Sequence, residues 1–217
     1  MMRKFVFLAT LLAIFGAVPS NAQQGEWRFA TRVTSLSFDA VTDPIFDTGT
    51  QMKSSSATPT LALEWQYMMS EALAICASLT TAPFDFKGVG GEHNGEVLGE
   101  IWFTPITLTL RYEFQFRGSI QPYIGGGINT TLYLLDEIEP VLEDYGVTKL
   151  NAKPGAGWVL EAGLNYDLNR TTFINLDLKL MDFSTDLDLE DENGEILDRV
   201  TLDGSPVEIG LGIGWRW

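Results

Sequence analysis

The chain has 217 residues, a single cysteine, and 29 acidic residues against 14 basic ones. A formal charge of −15 disfavours nucleic acid and other polyanions as partners. One cysteine excludes an intramolecular disulfide, and Cys76, in an apolar stretch, reads as a small packing residue.

The first residues, Met1-Met2-Arg3-Lys4, are basic, and Phe5 to Val18 is an almost unbroken apolar run. Ser20-Asn21-Ala22 then supplies the small residues at which a signal peptidase cuts. Residues 1–22 therefore read as a cleaved secretory signal peptide, too short and wrongly flanked for a stable membrane helix. One domain is expected over residues 23–217. No cysteine follows the cleavage site, so a lipid anchor is not expected there. No later segment reaches the roughly 18 apolar residues that a membrane helix needs.

Period-2 alternation runs along the rest of the chain. In chain order, Trp27–Ser35 follows it weakly, and Leu61, Leu63, Trp65 and Tyr67 follow it well. Leu73–Thr80 is apolar on both faces, so its register is open. Ile106 to Phe114 alternates, Ile120–Thr131 does so weakly, and Trp158 to Tyr166 and Ile174 to Leu180 alternate again. The last strand alternates Val207, Ile209, Leu211, Ile213, Trp215 and Trp217 with Glu208, three glycines and Arg216. Short turns are expected at 69–71, 117–119 and 165–170, and long loops near 37–57, 82–99, 133–155 and 182–203.

Eight strands joined alternately by tight turns and long loops describe a chain that crosses something repeatedly. The apolar face carries bulky Leu, Ile and Trp and suits lipid. The other face mixes charge with glycine, which suits a narrow lumen better than open water. In hydrocarbon every backbone N–H and C=O must be paired, and among sheets only a closed one achieves that. Trp27, Trp65, Tyr67, Tyr112, Phe114, Tyr166, Trp215 and Trp217 all fall near the short-turn ends, as an interfacial girdle does. The expected fold is all-β: an eight-stranded antiparallel transmembrane β-barrel with short periplasmic turns and long extracellular loops. An even strand number puts both termini on the periplasmic side.

The lumen face carries Arg28, Arg32, Arg111, Lys179 and Arg216 against Glu64, Glu113, Glu161, Asp177 and Glu208. These charges form either an ion-conducting pore or an internal plug of salt bridges. An eight-stranded barrel is only just wide enough for its own side chains, which favours the plug with a narrow passage above it. In the loop Ser184–Asp198, Asp188, Glu190 and Glu192 alternate, but Asn193 stands where a calcium loop has its glycine. Asn193-Gly194 reads instead as the tip of a hairpin. Divalent ions bridging this acidic loop to lipopolysaccharide phosphates stay open. A short amphipathic helix is expected near Ile138–Tyr145, capping the outer mouth. The only histidine, His93, lies in a glycine-rich loop far from any nucleophile, so no catalytic site, metal or cofactor is expected.

Four stretches carry a family resemblance: "TAPFDFKGVG", "FTPITLTLRYEF", "IQPYIGGGINTTLY" and "FINLDLKLMDFSTD". Together they make the chain resemble the OmpW family of eight-stranded bacterial outer-membrane barrels. The resemblance implies a narrow passive channel for small, mostly hydrophobic molecules, released sideways into the membrane. It implies a constriction at Leu79 and at position 179, where the family has Trp and this chain has Lys179, with Met181 beside it. It also implies contact with lipopolysaccharide and with phage or bacteriocins, and reading of the C-terminal strand by the barrel-assembly machinery. The alternative is a non-conducting structural or interaction barrel whose acidic loops bind lipopolysaccharide, proteins or phage.

Overall fold

The computed structural model describes residues 24–217 apart from 47, 117, 139 and 144; the signal-peptide segment lies outside the described residues. Twelve strand segments form one antiparallel sheet that aligns into eight passes. β1 (Trp27–Ile45) and β2 (Thr50–Met68) are the first two. β3 (Leu73–Thr80) with β4 (Ala82–Val89) forms the third, β5 (Val97–Glu113) the fourth and β6 (Ile120–Ile138) the fifth. After a single helical turn, α1 (Pro140–Glu143), β7 (Lys149–Ala152) and β8 (Gly155–Asp167) form the sixth. β9 (Thr172–Met181) and β10 (Phe183–Glu190) form the seventh, and β11 (Ile196–Gly204) and β12 (Val207–Arg216) the eighth.

The sheet closes where β1 pairs β12, from Arg28↔Arg216 to Ser37↔Val207. Trp27 and Trp217 exchange backbone hydrogen bonds of 3.1 and 3.0 Å at the foot of that seam. Closure removes the edges that an open sheet would present to hydrocarbon.

The alternation becomes two unlike faces. Outward Val33, Ile128 and Leu211 are 59–65% exposed, whereas inward Arg32, Glu64 and Asp177 are 1–3% exposed. At the short-turn end, Trp27 packs on Tyr67 (ring centroids 4.9 Å apart), Phe29 on Trp65 (5.3 Å) and Tyr112 on Phe114 (5.1 Å). Tyr166 and Trp215 are exposed at the same end, and Trp65 and Trp217 are half-buried. The inward glycines of β12 make room for large neighbours: a Cβ on Gly212 would fall 2.0 Å from the Thr31 carbonyl oxygen and 2.6 Å from Arg32 Cγ.

The stretches expected as long loops are mostly strand. β1 and β2 continue to Ile45 and from Thr50, β4 fills 82–89, and β10 and β11 form a hairpin over 183–204. Above the lipid band the inward face is mainly apolar, with a few buried hydroxyls such as Thr42 and Ser54 among its side chains. Leu36, Phe38, Met52, Phe86, Leu187 and Leu202 are all within 1% of full burial, while outward Asp39, Asp186 and Asp203 are exposed. That is the one-face-in, one-face-out pattern of a water-facing antiparallel sheet, so these extensions stand on their own core.

The β10–β11 hairpin turns at 191–195 as expected. Gly194 takes a left-handed φ of 79°, and Asp191 Oδ1 accepts from the backbone N–H groups of Asn193 and Glu195. Two of the alternating acids, Asp188 and Glu190, are ion-paired with the protein itself. Arg199 and Lys153 flank Asp188, and Lys149 and Asn151 flank Glu190. The Arg199 hydrogen bond holds the Asp188 carboxyl below the usual aspartate range. A depressed folded value contributes stability above the unfolded pKa that is lost as pH falls through the folded one. Amide hydrogen exchange should therefore show the hairpin protected at neutral pH and loosened in acid below the ordinary aspartate range. Equal protection at both pH values would contradict this coupling.

Candidate functional site

The lower interior is an ionic plug. Arg111, on β5, is its centre: its guanidinium donates to Glu161 (Nε 2.9 Å, Nη2 3.0 Å) and to Glu64 (Nη1 2.9 Å, Nη2 3.0 Å). It also lies over the Tyr123 ring, 4.0 Å from the centroid. Arg32 donates to Glu64 Oε2 at 2.9 Å and to Asn175 Oδ1 at 2.7 Å. Lys179 Nζ donates to Asp177, and the Tyr123 hydroxyl donates a hydrogen bond to the same carboxylate. Nearer the short turns, Arg28 bridges Glu26 and Glu113, with Glu113 also accepting from Gln66. Carboxylate oxygens of Glu64, Glu161 and Asp177 lie within 4.8 Å of one another. Arg111, Arg32 and Lys179 already hold these oxygens, so the cluster is compensated by the protein's own cations.

Immediately above, the polarity changes in one step of the pleat. On β1, β8 and β9 the inward Thr34, Glu161 and Lys179 are followed one step up by Leu36, Val159 and Met181. Phe38 then sits among Phe103 (4.4 Å), Phe84 (4.8 Å), Phe183 (5.7 Å) and Phe86 (6.1 Å). α1 and the strap that follows it cover this apolar interior with Leu142 and Val147, both fully buried against it. Tyr145 pins the strap by stacking on Phe46 at 5.2 Å and by a 3.0 Å hydrogen bond with His93 Nε2. His93 Nδ1 in turn meets Glu96 at 2.9 Å.

The wall itself is interrupted at this level. Pairing between the second and third passes stops at Ala62↔Thr80 and resumes at Lys53↔Lys87. Residues 54–61, eight of them, thus face the six residues 81–86, so the register slips by two. Pro59 and Pro83, each without a backbone N–H, lie in this stretch. Threonine hydroxyls partly bridge it: Thr58 Oγ1 donates to the Pro83 carbonyl at 3.3 Å, and Thr60 Oγ1 donates to that of Thr81. Thr58 and Thr60 have the inward parity of Ala62 and Glu64, yet both are partly exposed. Thr58 pairs with Leu36 on β1, so the slip opens beside the apolar layer rather than beside the plug.

The candidate residues thus separate. Arg28, Arg32, Glu64, Arg111, Glu113, Glu161, Asp177, Lys179 and Glu208 share the plug, and Met181 lies in the apolar layer above it. Arg216 sits apart at the short-turn mouth, paired with Asp167 and over Phe173. Leu79 is not beside Lys179. It pairs with Leu63 and Ile106 in the outward band, between inward Ser78 and Thr80, so it faces lipid. The sequence reading also missed Tyr123, Asn175, Gln66 and Glu26; Gln66 and Asn175 lie between the apolar residues of Leu61–Tyr67 and Ile174–Leu180, where only their polar parity could have pointed to the lumen. The Phe38 cluster, hidden in presumed loops, was missed as well.

A closed antiparallel barrel with lipid-suited outer residues, an aromatic girdle and an ion-paired interior is an outer-membrane β-barrel. The OmpW family model matches residues 23–217, and the chain belongs to that family. A Pseudomonas aeruginosa relative, dibenzothiophene metabolism operon protein PahQ, is 26% identical over 200 residues, covering 90% of this chain and 92% of the relative. Outer membrane protein W of Escherichia coli is 26% identical over 158 residues, 72% of each chain. Among solved structures, OprG from P. aeruginosa superposes with a TM-score of 0.69 at 22% identity, covering 91% of this chain and 99% of OprG. AlkL in lipid bilayers gives 0.68 at 19%, covering 94% and 95%.

Proposed function

We propose that the protein is a narrow passive conduit for small, mostly hydrophobic molecules, with its short turns and both termini in the periplasm. Solutes arrive from outside beneath the strap, meet the apolar layer around Phe38, and leave sideways between the second and third passes. The observation that carries this reading is the coincidence of three levels: the plug ends, the apolar interior begins, and the wall loses its ladder beside Leu36 and Thr58. In hydrocarbon an interrupted ladder is costly unless other groups serve its backbone, which favours a functional reason for one placed here. Straight passage along the axis would have to break hydrogen-bonded ion pairs buried to within 5%, whereas sideways release leaves them intact. The name of the PahQ relative, from an operon for an aromatic sulfur heterocycle, agrees with an apolar cargo.

Cross-linking the seam tests this. Pro59→Cys and Thr81→Cys, both on the outward face, are joined by a short bifunctional thiol reagent in a Cys76→Ala background. The assay uses asymmetric vesicles with a lipopolysaccharide outer leaflet and trapped cyclodextrin as acceptor. Cross-linking should abolish protein-dependent naphthalene uptake while the uncross-linked variant keeps it. Unchanged uptake after complete cross-linking would remove the sideways route. No protein-dependent uptake by any form would favour the second reading, a non-conducting barrel. For that reading the specific support is the exposed acidic outward face of the extensions, at Asp39, Asp186 and Asp203, as a contact for lipopolysaccharide or proteins.

A further inference from the structure

At the boundary between plug and apolar layer, two buried polar atoms lack hydrogen-bond partners: Thr34 Oγ1 and Glu208 Oε1. Thr34 is 2% exposed and Glu208 1%. They are near neighbours on the inner face, because Thr34 pairs with Gly210 and Leu36 with Glu208. Diagonal positions of this kind bring side chains into reach of one another. The other carboxylate oxygen, Glu208 Oε2, is engaged by Thr80 Oγ1 at 2.6 Å, which fixes the group. Oε1 lies 3.5 Å from Lys179 Nζ, an ion-pair separation, while that ammonium gives its hydrogen bond to Asp177.

Buried polar groups are nearly always hydrogen-bonded, and leaving one unsatisfied costs about 1–3 kcal/mol. Here an acceptor and a hydroxyl are left open together, beside Leu36 at the upper end of the plug. Leu36 and the Phe38 cluster next to this pair offer hydrocarbon and aromatic rings. A molecule that fits both halves has an apolar body and one hydroxyl group. Its O–H donates to Glu208 Oε1, its oxygen accepts from Thr34, and its body lies against Leu36 and the Phe38 cluster.

We propose that Thr34 and Glu208 form a polar subsite that selects small aromatic or aliphatic alcohols over the parent hydrocarbons. The inference rests on the conduit reading above and names its cargo class. Glu208 is itself a carboxylate and would repel an anionic head group, so the selected head group is neutral.

The test compares 1-naphthol with naphthalene in the same asymmetric vesicles, using the full mature chain. Wild type should favour naphthol on the order of tenfold after correction for protein-free vesicles, the factor typical of one hydrogen bond to a charged group. Thr34→Val keeps the side-chain shape and removes only an unpartnered hydroxyl, so folding is preserved. Glu208→Gln keeps an oxygen for Thr80 but presents an amide N–H₂ in place of Oε1. Each variant should lose most of the preference while naphthalene uptake stays at the wild-type rate. Equal uptake of both probes by wild type would overturn the subsite and leave the conduit standing, as would a preference that both variants retain. Absence of protein-dependent uptake for both probes would overturn the two together.

Discussion

Replacing Arg111 with alanine should destabilise the barrel by about 3–5 kcal/mol, the cost of stripping one partner from a buried ion pair. The reason lies in what stays behind. Glu64 and Glu161 each lose two hydrogen bonds from the same guanidinium, and their carboxylates are left close together with Arg32 and Lys179 as the remaining cations. Lysine at this position should recover only a part, because a single ammonium cannot reproduce the planar fork that serves two carboxylates. Neutralising the group as a whole, with Arg111→Met, Glu64→Gln and Glu161→Gln, should restore most of the loss, since a buried charge cluster is costly to break but not intrinsically more stable than a neutral one. Arg216→Ala provides the contrast. Its pair with Asp167 stands apart from the plug, and its loss strips only one carboxylate of one partner, so the effect should be smaller than that of Arg111→Ala. Urea unfolding in lipid vesicles measures all four. A loss below 1 kcal/mol for Arg111→Ala would mean that the plug does not hold the barrel together.

Phe38→Ala should act on both stability and uptake. The ring touches four other phenylalanines and is 1% exposed, so its removal leaves a cavity and costs about 3–5 kcal/mol. If the apolar layer is the route, that cavity lies on the path and naphthalene uptake should rise severalfold in protein that remains folded. Slower uptake by folded Phe38→Ala barrels would show that the ring guides the solute rather than obstructing it. Unchanged uptake would place the route elsewhere.

What the sequence disclosed followed from how strongly each feature depends on period two. Five passes carry bulky apolar residues against polar ones and two more do so weakly, so their faces and the plug's charged members could be read directly. The third pass could not be oriented, because Ala74, Cys76, Ser78 and Thr80 on one face are hardly more polar than Leu73, Ile75, Ala77 and Leu79 on the other. Only the pairing of Ala77 with Trp65 and Leu108 fixes the register, and with it the outward position of Leu79. A slip of one residue would have exchanged the two faces. The extensions were hidden for a different reason. Asp, Ser, Pro and Gly crowd residues 37–57 and 182–205, and these read as turns unless the inward Leu36, Phe38, Met52 and Leu202 are known to meet across the barrel. The register slip at residues 54–61 arises from the whole ladder, and no local motif announces it.

The pairing of β12 with β1 has a temporal consequence. Trp27 and Trp217, which exchange hydrogen bonds, stand 190 positions apart in the chain (217 less 27). The first pass cannot satisfy its outer edge until the last one has been made and delivered. Until then every intermediate has two open edges that hydrocarbon cannot serve. Such non-local closure is slow. Insertion and closure must therefore finish together, late, on a chain kept unfolded and apart from others until its final strand arrives.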